Sequence, residues 1–244
     1  MEETEMSVSK LLALTVLPSA IATAIYIVAG FFLQGIPAIA LFLMIAMLTV
    51  MPFEIMVVLS ANKKEYGTYG FRIAFSNHEQ MDWWKIFLYG LVLFSFAGIM
   101  TVTVQSLENW LMSGLFDKVF AALPTYFDWN DFELMKSFPK GTLIFTSAIY
   151  LALNGFVYPI IEEIYFRGYL TNRLNRYGML TPIIVVIVFS FYHWWLPFNN
   201  IFRICAFGAA ALIAYKKKNI FISIIFHCLC NLFSSISFIT ALLN

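Results

Sequence analysis

Residues 142–161 read TLIFTSAIYLALNGFVYPII, and residues 162–167 continue as EEIYFR. The first stretch contains no charged side chain and has the length that an α-helix needs to cross the hydrocarbon core of a membrane. Two carboxylates and an arginine follow at its end. Because an ionisable side chain in a membrane span is costly unless it has a partner or a function, this stretch indicates a membrane protein and directs the search for chemistry.

The rest of the chain repeats this apolar pattern. Of its 244 residues, 61% are hydrophobic and 12% are charged, with a mean hydropathy of +0.81. A soluble domain carries about 25% charged residues. We predict an all-α, polytopic transmembrane helix bundle that forms a single integral membrane domain over residues 1–244, with a central polar cavity. Seven spans are predicted, at residues 11–33, 36–60, 83–104, 142–161, 180–195, 201–215 and 220–243.

A weaker apolar run at residues 107–123 is interrupted by Asp117 and Lys118. Its polar residues recur at near-helical spacing, which favours a helix lying in the membrane interface over an eighth span. We therefore predict that residues 107–140 form an extracytoplasmic interfacial segment, with an eighth span as the alternative. The acidic residues of this outer segment are Glu108, Asp117, Asp128, Asp131 and Glu133.

The distribution of Lys and Arg predicts the orientation, because basic residues concentrate in cytosolic loops. A cytosolic N-terminus and seven spans place the C-terminus outside and leave four basic residues there: Lys118, Lys136, Lys140 and Arg203. The other eleven fall on the cytosolic side. The first apolar run is longer than that of a signal peptide, so we expect it to be retained in a multi-pass protein of the cell membrane.

The overall charge and the cysteines exclude several classes of function. The net charge of +1 provides no polycationic field, so no nucleic-acid partner is expected. Cys205, Cys228 and Cys230 lie in apolar segments and form no C-x-x-C pair, which is typical of ordinary small residues in membrane helices.

Glu162, Glu163 and Arg167 form the first candidate cluster. On a helix, Glu163 and Arg167 are four residues apart with the acid first, the favoured order for an ion pair. Glu162 lies about 100° further around the helix, without that partner. The two carboxylates therefore have different environments, as a catalytic site requires. The alternative is a group of charges at a membrane interface with no catalytic role.

Three further polar residues lie where they are costly. His193 precedes two tryptophans, so a role as a hydrogen-bonded interfacial residue is the alternative to catalysis. His227 and Asn231 are four residues apart and share one face of the last helix, where a structural helix–helix hydrogen bond is the alternative. Glu54, in the second span, is expected to be structural, either paired with a base or lining the cavity.

Together these clusters are sufficient for a hydrolase. A glutamate can take a proton from water, a histidine can orient that water, and a His–Asn pair can stabilise an oxyanion. The sequence has no G-x-S-x-G and no H-E-x-x-H motif. An activated water is therefore a better nucleophile candidate than a side chain.

The three clusters, E-E-x-x-x-R at 162–167, F-x-x-x-H at 189–193 and H-x-x-x-N at 227–231, resemble the signature of a known family. This is the CAAX protease and bacteriocin-processing family of intramembrane proteases, called CPBP or Abi. The family includes CAAX prenyl endopeptidases and bacterial proteases of peptide maturation or bacteriocin self-immunity. The resemblance implies an intramembrane endopeptidase over residues 142–243, acting on a peptide or a lipidated protein among membrane lipids.

The resemblance also implies roles for the site residues. Glu162 would be the general base, His193 would orient the water, and His227 with Asn231 would stabilise the oxyanion. Glu163 and Arg167 would hold the Glu162 helix in place. Members of the family are commonly described with eight spans. We favour a site without metal, and the alternative is a zinc ion held by Glu162, His193 and His227 in a metalloprotease.

Two rival functions use the same residues. A proton-coupled transporter would need a relay of polar side chains, and a non-catalytic immunity or scaffold protein would need only the fold. The peptidase also requires that Glu162 and His193 meet, although straight spans place them at opposite membrane faces. We therefore predict that the Glu162 helix continues past Ile161 or is kinked, and that Glu162 lies below the membrane surface in a cavity open to the cytosolic half.

Overall fold

A computed structural model describes residues 5–196 and 199–243, and this part of the chain contains helices and no strand. The predicted all-α fold is confirmed. The helices are α1 (Val8–Phe32), α2 (Ala38–Leu48), α3 (Val50–Tyr66), α4 (Trp83–Ala121), α5 (Phe132–Lys136), α6 (Lys140–Arg173), α7 (Thr181–Tyr192), α8 (Asn200–Lys216) and α9 (Phe221–Leu243). Short 3₁₀ helices span Arg72–Phe75, Thr125–Phe127 and Asn175–Leu180.

Within the described residues, six helices are long and apolar enough to cross a membrane. Helices α2 and α3 form one of them, and α7 counts together with the 3₁₀ helix before it. The predicted span at residues 201–215 corresponds to α8, which has only 17 residues and is not among the six. A multi-pass membrane protein is supported, whereas a count of seven or eight spans is not confirmed.

Helix α4 differs from its prediction. The run at residues 107–123 is not a separate interfacial helix, because α4 continues without a break from Trp83 to Ala121. At 1.5 Å per residue, its 39 residues extend about 58 Å, nearly twice the thickness of a hydrocarbon core of about 30 Å. The interruption at Asp117 and Lys118 does not end the helix, because neither residue breaks the backbone pattern of hydrogen bonds.

Helix α6 carries the first motif and contains two π-helical segments, Leu153–Val157 and Glu163–Leu170. They lie on either side of the α-helical turn Tyr158–Glu162. Such segments widen a helix locally and are frequent at functional sites. The helix continues to Arg173, about 16 Å beyond Glu162, as expected if the motifs are to meet. Glu162 therefore lies inside a long helix and is buried.

The basic ends of the helices collect at one end of the bundle, which we call the basic end. The backbone N–H of Met6 donates to the carbonyl of Arg173 at 2.9 Å, and that of Glu79 donates to the carbonyl of Lys218 at 2.8 Å. Arg173 is also paired with Glu65. These contacts join the start of α1 and the ends of α3, α6 and α8. That this end faces the cytosol stays a prediction.

The turn after α3 packs closely on α6. A Cβ atom added to Gly168 would lie 2.7 Å from the Cβ of Ala74 and 2.9 Å from its carbonyl oxygen. Only glycine permits this approach, since such contacts are too short for real Cβ atoms. The contact fixes the segment at residues 72–78 against the helix that carries the first motif.

Candidate active site

His227 lies between the two adjacent carboxylates of the first motif. Its Nδ1 is 2.9 Å from Glu163 Oε1, and its Nε2 is 3.7 Å from Glu162 Oε2. The first distance is a hydrogen bond and the second is too long for one. Because an ionised carboxylate only accepts hydrogen bonds, Nδ1 carries the proton toward Glu163. The other ring nitrogen, Nε2, faces Glu162.

The predicted pairing within the first motif is present. Arg167 Nη1 lies 3.2 Å from Glu163 Oε1, and both side chains are almost completely buried. The guanidinium carbon of Arg167 stands 4.2 Å above the ring centre of Phe189, a cation–π contact. Phe189 also contacts the ring of His227 edge-on, with centres 5.9 Å apart. Glu163 is therefore held by two partners in a dry aromatic setting.

Glu162 faces a different environment. It lines a cavity of about 30 Å³ together with Glu54, Tyr158, Tyr192 and other side chains of α2, α3 and the loop after α7: Phe42, Ala46, Val50, Met51 and Trp195. Glu54 is buried and accepts a hydrogen bond from the Tyr192 hydroxyl at 3.0 Å. Of the two roles predicted for Glu54, the structure has it lining a cavity, beside the Glu162 carboxylate.

His193 follows α7 directly and is half-buried. Its Nδ1 is 2.8 Å from the carbonyl oxygen of Phe189, and a carbonyl can only accept, so Nδ1 is the protonated nitrogen and Nε2 is the acceptor. Its ring lies 4.8 Å from that of Phe189 and 5.1 Å from that of Trp195. His193 thus contacts Phe189, which packs against His227, and Trp195, which lines the cavity at Glu162.

Asn231 lies one turn beyond His227 on α9. Its side-chain amide donates to the carbonyl of Asn154 at 3.0 Å, in the first π-helical segment of α6. Asn154 in turn donates to the Ser235 hydroxyl at 3.0 Å. One amide hydrogen of Asn231 is therefore used for helix–helix contact, as the structural alternative predicted. An amide carries two hydrogens, so a second donor remains for other use.

Sequence reasoning missed two buried charges behind the His193 loop. Glu108 was counted among the acids of an outer segment, yet it is buried on α4. Its carboxylate accepts the backbone N–H groups of Asn200, Ile201 and Phe202 at 2.7, 2.7 and 3.1 Å, and so caps the start of α8. Arg203, counted on the same outer side, is also buried and donates to the carbonyl of Leu196 at 3.2 Å.

Arg203 contacts the loop that carries His193 at Leu196, and Glu108 fixes the start of α8, where this loop ends. Only the depth of Glu108 in an apolar helix could have signalled its role, because its partners are more than ninety residues away along the chain. Helix propensity and hydropathy are local signals and contain no information on such a contact. We consider Glu108 and Arg203 positioning residues, since they act through the loop backbone.

The zinc alternative does not fit the arrangement of side chains. Among the described residues, no three or more His, Cys, Asp or Glu side chains are grouped as metal ligands would be. Because Nδ1 of His227 is bonded to Glu163, Nε2 is the ring nitrogen left for a ligand. No step below is therefore assigned to a metal, and independence from metal stays a prediction.

The single central polar cavity is not confirmed. The small cavity at Glu162 is separate from a larger one of about 410 Å³ at the basic end, and the two share no lining residue. Arg167 lines the larger cavity and contacts Glu163. The first motif therefore lies between two cavities.

Comparison with known proteins agrees with the motifs. Residues 144–233 match the family model described as Rce1-like, "Type II CAAX prenyl endopeptidase Rce1-like". The matched range begins in α6, ends in α9 and contains every predicted site residue, namely Glu162, Glu163, Arg167, His193, His227 and Asn231. No curated protein and no solved structure matches the chain. The predicted resemblance is thereby confirmed for residues 144–233, which are similar to the Rce1-like family of type II CAAX prenyl endopeptidases.

Proposed function

We propose that this protein is an endopeptidase that hydrolyses a peptide bond inside the membrane with a water activated by Glu162. The observation that carries the proposal is the position of His227, held by Glu163 at 2.9 Å with its other nitrogen 3.7 Å from Glu162. The His227 imidazole thus lies between Glu163, to which it is hydrogen-bonded, and Glu162, which borders a cavity. The Rce1-like match supports the reaction class.

Glu162 acts as the general base in this proposal. Its carboxylate accepts a proton from water while the water oxygen bonds to the carbonyl carbon of the substrate. His193 orients the water through Nε2, because its Nδ1–H is donated to Phe189. When the C–N bond breaks, Glu162 gives the proton to the leaving amine, and the carboxylate is regenerated.

The oxyanion of the tetrahedral intermediate requires donors. In this proposal both nitrogens of His227 carry a proton when the oxyanion forms, so that Nδ1–H donates to Glu163 and Nε2–H donates to the oxyanion. The second amide hydrogen of Asn231 is a further donor on the same face of α9. Arg167 acts through Glu163, so both are positioning residues rather than groups that touch the substrate.

The substrate class follows from the family description and the setting. The matching family is described as prenyl endopeptidases, and the site lies among helices long enough to span a membrane. We propose a lipidated peptide or protein substrate whose lipid chain stays in the membrane while the peptide reaches Glu162. A bacteriocin-immunity role would use the same reaction on another peptide.

The test is cleavage of a fluorogenic peptide, with and without a prenyl group, by protein purified in detergent. Glu162→Gln keeps the shape of the side chain and removes the base, so the rate should fall about 10²- to 10⁴-fold. Glu133→Gln makes the same change at an exposed acid and should leave the rate unchanged. Wild-type cleavage by a folded Glu162→Gln protein would contradict the mechanism.

The same preparations separate the rival functions. Proton-driven flux into vesicles without any cleavage would indicate the transporter. Biological protection that survives both Glu162→Ala and His227→Ala would indicate a non-catalytic immunity or scaffold protein. Cleavage of the prenylated peptide alone would support a lipidated substrate, whereas equal cleavage of both peptides would contradict it.

A further inference from the structure

The larger cavity, at the basic end of the bundle, is not used by the proposed reaction. It has a volume of about 410 Å³, within the range of sites for small molecules. It opens between the turn after α3, the end of α6 and the end of α8. Its lining residues are Ala74, Asn77, His78, Arg167, Thr171, Asn172, Asn175, Met179, Ala211, Ala214, Tyr215, Lys216, Lys218, Asn219 and Ile220.

The charge of this lining has one sign. Arg167, Lys216 and Lys218 are cationic, and no carboxylate is among the described lining residues. The hydrogen bond that Lys218 donates to the exposed Glu79 raises the pKa of Lys218, so this side chain stays protonated at neutral pH. Asparagine amides and hydroxyl groups form most of the remaining polar surface. The lining is thus suited to an anion with several acceptor oxygens.

Two lining residues have buried nitrogen atoms without hydrogen-bond partners. Arg167 is 5% exposed, and none of its three guanidinium nitrogens has a hydrogen-bond partner among the described residues, although Nη1 is ion-paired with Glu163. Nδ1 of His78 is likewise buried without a partner. A buried donor without a partner costs about 1–3 kcal/mol, and more when the group is charged. The cavity therefore lacks an acceptor at the position where its buried cation lies.

Tryptophans indicate the depth of the cavity relative to the membrane. Ile220 lines it, and the next residue, Phe221, contacts the ring of Trp83 with centres 5.2 Å apart. Trp83 and Trp84 are both exposed at the start of α4, where tryptophans mark the level of lipid headgroups. The cavity thus opens at headgroup level, where basic pockets between membrane helices bind anionic headgroups.

From the charge, the unpaired donors and the depth, we propose that this cavity binds the phosphate of an anionic phospholipid headgroup. Arg167 and the lysines contact the phosphate oxygens, and the amides contact the glycerol part. Free phosphate offers the same oxygens without an acyl chain, so the experiment must separate the two sources. The site does not depend on peptidase activity, and Glu162→Gln should bind the lipid as the wild type does.

Two neighbouring lysines provide a matched test. Lys216 lines the cavity, whereas Lys217 does not and instead lies 5.6 Å from the ring of Tyr89. Both are exposed at the end of α8, so Lys216→Glu and Lys217→Glu change the net charge equally. Detergent-purified protein is incubated with equal amounts of phosphatidylglycerol and phosphatidylcholine, and retained lipid is measured by native mass spectrometry, with thermal unfolding as the check of folding.

We expect the wild type to retain phosphatidylglycerol in preference to phosphatidylcholine. Lys216→Glu should reduce this retention about tenfold, while Lys217→Glu changes it less than twofold. Equal losses in both variants, or no preference in the wild type, would overturn the proposal. Displacement of the lipid by millimolar inorganic phosphate, with the same dependence on Lys216, would overturn the lipid as the source of the phosphate.

Discussion

Glu162 and Glu163 are adjacent residues with opposite surroundings. Glu163 is fully buried and contacts both Arg167 and His227, so its charge is fixed in place. Glu162 borders a small cavity that it shares with Glu54, and it makes no hydrogen bond to His227. The rotation of about 100° between successive residues of a helix produces this difference. In the proposed mechanism, one residue type thus serves as a structural charge at position 163 and as the base at position 162.

Removal of Arg167 tests the Glu163 side and has the largest expected effect on stability. Arg167→Met keeps the apolar volume but leaves a buried carboxylate without its cation, which costs about 3–5 kcal/mol. We expect a clear fall in the thermal unfolding temperature in detergent, together with loss of cleavage. Arg176→Met removes an exposed pair with Glu5 and surface hydrogen bonds to Met6 and Tyr177, and it serves as the control, with a much smaller change expected. Similar unfolding temperatures for the two variants would contradict the role given to Arg167.

Replacement of Glu108 tests whether cleavage at Glu162 depends on the position of the loop that carries His193. Glu108→Gln removes the charge that accepts three backbone N–H groups of α8, and hydrogen bonds to charged groups contribute about 1.5–3 kcal/mol. We expect a smaller loss of stability than for Arg167→Met. The cleavage rate per folded molecule should also fall, because the loop loses its anchor.

The control for this change is Glu133→Gln, at an exposed acid that the sequence placed in the same outer segment. It should leave both unfolding and cleavage unchanged. If Glu108→Gln lowers stability but the folded fraction cleaves at the wild-type rate, Glu108 is a structural cap and does not position His193.

Removal of the hydrogen bond between Tyr192 and Glu54 is a smaller change in the cavity at Glu162. Tyr192→Phe removes the hydroxyl donor of the buried Glu54 carboxyl group and should cost about 1 kcal/mol of stability. The loss should become smaller in a Glu54→Leu background, where no carboxylate remains, as a double-mutant cycle measures. An unchanged loss in that background would show that the Tyr192 hydroxyl stabilises the fold independently of Glu54.

The sequence predicted what depends on local patterns. Apolar runs predicted the helices, and the i, i+4 spacing predicted the Glu163–Arg167 pair and the shared face of His227 and Asn231. The motif resemblance indicated the family. Glu54 was also visible, because an acid in an apolar run is unusual.

The errors concern contacts between distant segments and changes within a helix. The continuation of α4 through Asp117 and Lys118 was not predicted, because weak hydropathy resembles an interfacial helix. The cap that Glu108 provides to α8 depends on two helices that meet only in the folded bundle. The π-helical segments around Glu162 were likewise not predicted, because they depend on tertiary packing rather than on local propensity.

Removal of metal is expected to have the smallest effect. It tests whether Glu162 and Glu163, which lie on either side of His227, have separate roles. A zinc site would join Glu162, His193 and His227 around one ion, whereas no such group of three ligands is present among the described residues. We expect dialysis against a chelator, followed by assay in metal-free buffer, to leave peptide cleavage within twofold of its starting rate. Loss of activity that is restored by zinc would show that the histidines converge on a metal during catalysis, and the division between a fixed Glu163 and a free Glu162 base would then be wrong.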